Sequence, residues 1–308
     1  DKPATRNEAA RFLAQATFGP VDADIDRLMA IGYSAWIDEQ FATPRGATSQ
    51  ACFEANPDSN DKAVTACVWK QAVTARDQLR QRMAYALSQI FVISLADGDV
   101  DNYDRGVGAW FDMLGEQSFG NYRALLERVS LHPLMGIYLS HLANQKADGN
   151  GRVPDENYAR EVMQLFSIGL VELNADGSPR AEAAETYTPA DVSELAKVFT
   201  GWSWACPAPS ERSCFTRGED NDKEDPNRDV KPMVAYPAYH STEAKTFLGT
   251  TIPAQTGAAD SLRIALNRLA AHPNVGPFIG RQLIQRFTTS TPSPAYVGAV
   301  SRAFTDSG

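Results

Sequence analysis

Thr188-Pro189-Ala190-Asp191-Val192-Ser193-Glu194-Leu195-Ala196-Lys197-Val198-Phe199-Thr200-Gly201 reads as a helix with both ends marked. Thr188 supplies an N-cap oxygen. Pro189, at the first helical position, has no amide to satisfy, and Asp191 sits three residues after the cap to complete the box. Val192, Leu195, Ala196 and Phe199 then recur at helical spacing on one face, and Gly201 supplies a stop.

Working outward, the same pattern recurs. Thr5 and Glu8 form a capping box ahead of Phe12 and Leu13. Asp22 or Asp24 opens a helix carrying Ile25, Leu28 and Met29 that Gly32 ends, and Ser34 leads into Trp36, Ile37 and Phe41. Thr74 and Asp77 are expected to open the longest helix, with Leu79, Met83, Ala86, Leu87, Ile90 and Phe91 facing a core. Further apolar stripes fall on Val107 to Leu114, Tyr122 to Val129, Leu262 to Leu269 and Phe278 to Phe287. Strand signals are short: Leu170-Val171-Glu172-Leu173 before a turn, and Lys245-Thr246-Phe247-Leu248-Gly249. The expected fold is mainly α, a single large multi-helix domain with one or two short β-hairpins and a long disulfide-tied loop. Residues 1–205 would form the helical body and 206–239 a Pro-rich, acidic excursion. Residues 240–308 would be a C-terminal helical part of the same domain, cut short within a longer protein.

With 43% hydrophobic residues in a chain of 308, a sizeable core can form. No apolar run approaches the roughly 18 residues of a membrane span. The net charge of −9 gives no surface for phosphate backbones, so nucleic acid is not an expected partner. The four cysteines fall in two close pairs. Cys52 and Cys67 flank a stretch containing Pro57 and Asp58, and Cys206 and Cys214 flank Pro207, Pro209 and Ser210. Neither spacing suits zinc, and both read as loop-closing disulfides made in an oxidising compartment. Secreted, periplasmic or cell-surface localisation follows from that reading.

The most informative polar pattern lies in Pro154-Asp155-Glu156-Asn157-Tyr158-Ala159-Arg160-Glu161-Val162-Met163-Gln164-Leu165-Phe166. Tyr158, Val162, Leu165 and Phe166 share one side of a helix, and Asn157, Arg160, Glu161 and Gln164 share the other. Such a stripe can position a polar substrate with Glu161 as acid or base; the plainer reading is a solvated helix face. Of the four histidines, His240 at the exit of the excursion is the best placed for a cleft, with His132 as the other candidate for proton transfer. Trp202 and Trp204 are either a sugar-stacking platform or loop anchors, and Lys245 is a candidate substrate contact. Asp97, Asp99 and Asp101 resemble the start of a calcium loop, but Asn102 and Gly108 stand where its Gly and Glu belong, so a solvated turn is the better reading and calcium the lesser one. The acidic run Glu219, Asp220, Asp222, Glu224 and Asp225 also reads as solvated. No metal-ligand spacing, cofactor motif, P-loop or nucleophile elbow is present.

Four strings carry a resemblance. Ala9 to Pro20 (AARFLAQATFGP) resembles the N-terminal signature of the bacterial domain of unknown function 1800 family, and Glu156-Asn157-Tyr158-Ala159-Arg160-Glu161 with Leu165-Phe166-Ser167-Ile168-Gly169 resembles its central one. Tyr187-Thr188, Asp191-Val192 and Phe199-Thr200-Gly201-Trp202 are similar to the next, and His240 with Lys245 to Gly249 to a fourth. The resemblance implies a large, commonly exported bacterial protein, often encoded beside another exported family, and transfers no activity and no catalytic residue. It does place the Asn157–Gln164 stripe inside a signature. The functional expectation is an exported hydrolase or lyase on an extracellular or envelope glycan. Glu161 would be acid/base, Arg160 and Asn157 positioning groups, His240 or His132 a second proton-transfer group, and Asp191 or Glu194 the second carboxylate. The alternative is a non-catalytic envelope component that binds a co-exported protein or a surface polysaccharide.

Overall fold

The computed structural model describes residues 1–56, 61–181, 184–206, 212–220 and 223–307; Pro57, Asp58, Pro207, Pro209, Ser210 and Asp222, singled out above, lie outside them. The described chain is mainly helical, with only short two-stranded antiparallel sheets. It forms two compact units. One comprises residues 1–92, 104–120 and 285–290, and the other 93–103, 121–284 and 291–308.

In the first unit, Ala9, Leu13 and Ala16 of the helix Arg6–Ala16 meet Leu28 of Asp22–Ile31 and Trp36 of Tyr33–Ala42. Phe12 packs edge-on against both Tyr33 and Trp36, at 5.0 and 5.4 Å between centroids. The short helix Ser49–Glu54 lies directly on Asp104–Gln117 because Gly108 has no side chain there: a Cβ would sit 3.0 Å from the Gln50 amide nitrogen. Asp112, one turn on, accepts hydrogen bonds from the Ser49 and Gln50 amides at 2.8 and 2.9 Å, holding the start of that helix.

Two expectations change here. Thr74 does not open a long helix. It closes Asp61–Thr74, its hydroxyl donating back to the Lys70 carbonyl at 2.7 Å, and the next helix is the shorter Gln78–Ser88. The Cys52–Cys67 disulfide is present but joins two helices, Ser49–Glu54 and Asp61–Thr74, rather than closing a loop.

The second unit holds the helices Tyr122–Ser130, Pro133–Tyr138, Asn157–Gln164, Pro189–Ala196, Arg212–Arg217, Ala258–Ala270 and Pro294–Ser307, with most of Val275–Phe287. The capping box forms as read: Thr188 Oγ1 accepts from the Asp191 amide and Asp191 Oδ2 from the Thr188 amide. The helix tightens into a 3-10 turn over Lys197–Phe199 before Gly201. Gly201 takes φ +75°, and a Cβ there would lie 2.7 Å from the His240 amide nitrogen, so glycine is required twice over. Trp202–Ser203 pairs with Val234–Ala235, Glu219–Asp220 with Lys223–Glu224, and Lys245–Phe247 with Thr250–Ile252. The segment at 170–173 forms only isolated bridges, Val171 to Glu185 and Leu173 to Pro179. Cys206 is bonded to Cys214, which lies on the helix Arg212–Arg217 inside the excursion.

Candidate functional site

The helix Asn157–Gln164 is built by a polar start and an apolar inner face. The Asp155 carboxylate accepts the Asn157 amide at 2.8 Å, while Tyr158, Ala159, Val162 and Met163 are buried. Leu165 departs from the expected inner face and is 46% exposed, because the chain leaves α geometry after Gln164: the Phe166 amide bonds the Glu161 carbonyl and the Ile168 amide the Met163 carbonyl, both wider than an α turn. The stripe itself forms. Arg160, Glu161 and Gln164 are half-buried and Asn157 is exposed, its amide nitrogen donating to Ser140 Oγ at 3.4 Å.

Glu161 is the unusual member. Its Oε2 is buried and has no hydrogen-bond partner among the described residues. Burial raises its proton affinity above that of an ordinary glutamate, and the Arg160 charge only partly opposes this. Tyr187 stands beside it, donating its hydroxyl to Gln164 Oε1 at 3.0 Å. Pairing of residues 170–172 with 184–186 leads the chain to it, through Thr186 N to Leu170 O at 3.1 Å and Glu172 N to Ala184 O at 2.8 Å. Burial raises the proton affinity of Tyr187, Arg160 lowers it, and Glu161 and Glu185 raise it, so these four groups share one electrostatic neighbourhood. Arg160 makes one ion pair, to Glu156 Oε2 at 3.2 Å, and Glu156 Oε1 accepts the Ser193 hydroxyl, tying this helix to Pro189–Ala196. The other guanidinium donors of Arg160 make no hydrogen bond among the described residues.

The other candidates lie in the interior. His240 is 2% exposed, its Nδ1 2.8 Å from the Thr200 carbonyl and its Nε2 3.3 Å from Ser261 Oγ, and burial lowers its proton affinity. His132 caps Pro133–Tyr138 by accepting the Leu134 amide, and burial pushes its pKa down to about 3. Lys245 is fully buried and donates to the Ser241 and Glu243 carbonyls at 2.8 and 3.1 Å. Trp202 and Trp204 are buried, leaving no open ring face for a sugar. None of these touches Glu161 by a hydrogen bond or an ion pair among the described residues. Asp191 and Glu194 are also spent. Asp191 Oδ1 accepts the Leu248 amide at 2.7 Å and Glu194 Oε2 the Thr246 amide at 3.1 Å, docking the Lys245–Ile252 hairpin on the helix.

Two features escaped the sequence reading. His141 is buried against Tyr158, the rings stacked at 3.9 Å, with its Nε2 2.8 Å from the Ser130 carbonyl; Tyr158 in turn meets the Ser130 hydroxyl at 2.7 Å. The nearby Ser140 and Ala143 adopt φ of 57° and 60°, unusual for non-glycine residues, and Ser140 Oγ accepts the Asn157 side-chain amide. Asn274 is the other, its amide donating to the Ile168 and Val171 carbonyls at 2.9 and 2.8 Å and its oxygen accepting the Leu173 amide at 3.0 Å, so it holds the chain leaving the stripe. The only sequence signal for either was a polar residue beside a helix junction.

Asp97 turns its carboxylate onto the Asp99 and Val100 amides at 3.1 and 3.2 Å, an Asx turn. Among the described residues no group of three His, Cys, Asp or Glu is placed to hold a metal ion, and no helix is long and apolar enough to cross a membrane. No curated protein and no solved structure matches the chain. A family model, described as protein of unknown function (DUF1800), matches residues 11–308. The stripe, the capped helix after it and the hairpin docked on that helix all fall within the match, and the chain belongs to that family.

Proposed function

We propose that the protein is an exported hydrolase or lyase acting on an extracellular or envelope glycan, with Glu161 as the proton-transferring group. The supporting observation is the Glu161 carboxyl itself: half-buried, with one buried oxygen unpartnered, proton affinity raised, and Arg160, Gln164 and Tyr187 around it. Structural carboxylates are normally satisfied, and a carboxyl whose proton affinity is raised by burial is suited to general acid catalysis. Arg160, Asn157 and Gln164 would orient the substrate. Tyr187 takes the place of the buried histidines as the neighbouring polar group. Two disulfides in a chain of this size support export. The test is cleavage of a panel of purified envelope and extracellular glycans, with Glu161→Gln expected to lower the rate by about 10²-fold or more. Full retention of cleavage in that variant would remove Glu161 from the role.

The exposed Leu165 and Leu170, 46% and 55% exposed at the end of the stripe, favour a second reading, a non-catalytic envelope component that binds a protein or surface polymer there. Under that reading Leu165→Asp abolishes binding to the partner while no glycan on the panel is cleaved.

A further inference from the structure

Of the five tryptophans, Trp36, Trp110, Trp202 and Trp204 are buried, whereas Trp69 is 47% exposed. The stacking platform read at Trp202 and Trp204 is therefore closed, and the open indole stands in the first unit. It belongs to a cluster. Phe18 meets Trp69 at 6.1 Å and Tyr85 at 5.6 Å between ring centroids, and Trp69 meets Tyr85 at 5.6 Å. The Arg82 guanidinium lies over Phe18 and Tyr85, 5.7 Å from each centroid, and 5.5 Å from that of Phe287. All of these residues fall in the first unit. Arg82 donates from Nη2 to the Arg286 carbonyl at 2.9 Å; it makes no other hydrogen bond and no ion pair among the described residues. The Tyr85 hydroxyl is also without a bond there.

The charge around this cluster runs against that of the molecule. From Ala63 to Ala96 the sequence holds Lys70, Arg76, Arg80 and Arg82 against the single acid Asp77, in a chain of net charge −9. Asp77 is buried and pairs with Arg80 at 3.5 Å, so its charge is taken up there rather than at Arg82. We propose that the patch binds an acidic polysaccharide: a pyranose ring stacks on the Trp69 indole, and a uronate carboxylate of the same chain is held by the free edge of the Arg82 guanidinium. A pyranose has an apolar C–H face and a hydroxyl rim, and Trp69 and Tyr85 offer ring faces with polar edges to match. Arg82 is fixed by the rings on its flat face, so its fork of donors meets a carboxylate with little further ordering. An apolar protein partner fits less well, because it would bury that cation without a counter-charge. The overall negative charge opposes an acidic polymer only at long range, since at physiological salt it is screened beyond about 8 Å. This reading concerns binding alone and does not depend on Glu161.

The experiment titrates the full chain with oligogalacturonate in a calorimeter. Dextran, a neutral pyranose polymer, and polyglutamate, which has carboxylates but no sugar, are titrated in parallel. Acrylamide quenching of tryptophan fluorescence is read on the same samples. Oligogalacturonate should bind and shield the exposed indole from acrylamide, while dextran and polyglutamate bind at least tenfold more weakly. Trp69→Ala, at an exposed position, should weaken binding about tenfold with an unchanged melting temperature. Arg82→Gln should also weaken it about tenfold, and Arg82→Lys should recover part of the loss. Should Arg82→Gln lower the melting temperature, Trp69→Ala and the quenching decide. Polyglutamate binding as well as oligogalacturonate, with Trp69→Ala indifferent, overturns the sugar. Equal binding of dextran, with Arg82→Gln folded and indifferent, overturns the acidic ligand. A folded parent that fails to bind oligogalacturonate overturns the proposal whole.

Discussion

At the scale of single residues, half-buried Glu161 and buried His141 are titratable groups that each carry one unsatisfied buried atom, and they differ in what surrounds it. Glu161 lies on the outer stripe, and its folded pKa is raised. A raised carboxyl costs stability once pH exceeds its folded value and costs nothing below the unfolded value. Glu161→Gln should therefore raise the melting temperature at neutral pH, with the gain vanishing in acid; a wholly structural stripe would show the opposite sign. His141 is held neutral in the core, its pKa pushed down from 6.5 to about 4 by burial. The unfolded chain binds that proton earlier, so the stabilisation is present above pH 6.5 and is lost as pH falls towards 4. Denaturant midpoints measured across that range should fall with acid, less steeply in His141→Phe. The Glu161 stripe was legible from helical spacing alone, because charge on one side and apolar groups on the other is a one-dimensional pattern. His141 was not, since its partners Tyr158 and Ser130 come from different helices.

At the scale of elements, the helix Pro189–Ala196 shows both what sequence can tell and where it stops. Its cap was readable because every participant lies within four residues. The second use of Asp191, accepting the Leu248 amide at 2.7 Å, depends on a hairpin far along the chain and leaves no local mark. The same limit explains Asp191 and Glu194 as candidates for catalysis: charge on a helix was visible, but its commitment to backbone amides was not. Asp191→Ala should cost about 2 kcal/mol through loss of both a cap and a docking bond. Hydrogen exchange should speed up at Leu248 as well as in the first helical turn, while Asn in its place, which retains an acceptor, recovers part of the loss. Loss confined to the helix would show that the hairpin is held by other contacts. The boundary misread at Thr74 has a similar cause, since a threonine can cap a start or bond back at an end with the same local sequence.

At the scale of the molecule, composition and pattern were enough for a mainly helical chain with paired cysteines, because both follow from counts and spacings. The two compact units were not legible: each is built from three separate stretches of the chain. Nor was it evident that Cys52 and Cys67 sit on helices, since neither helix there has a strong apolar stripe. With a sequence separation of 15, that disulfide restricts the unfolded chain by about 3 kcal/mol. Replacing both cysteines by serine should lower unfolding stability by that order, and yield in a reducing cytosol should fall well below yield after export. Equal stability with and without the bond would remove one support for an exported protein.

The claim on which the functional account turns is that Glu161 holds its proton at a pH where surface glutamates have lost theirs. Carbon-13 NMR of the side-chain carboxyls, with Glu161 assigned by its absence in Glu161→Gln, measures this directly. The account predicts a Glu161 titration clearly above the ordinary value of 4.5, moving higher still when Arg160 is replaced by Gln and its opposing charge is lost. A titration at or below that ordinary value, indifferent to Arg160, would contradict it.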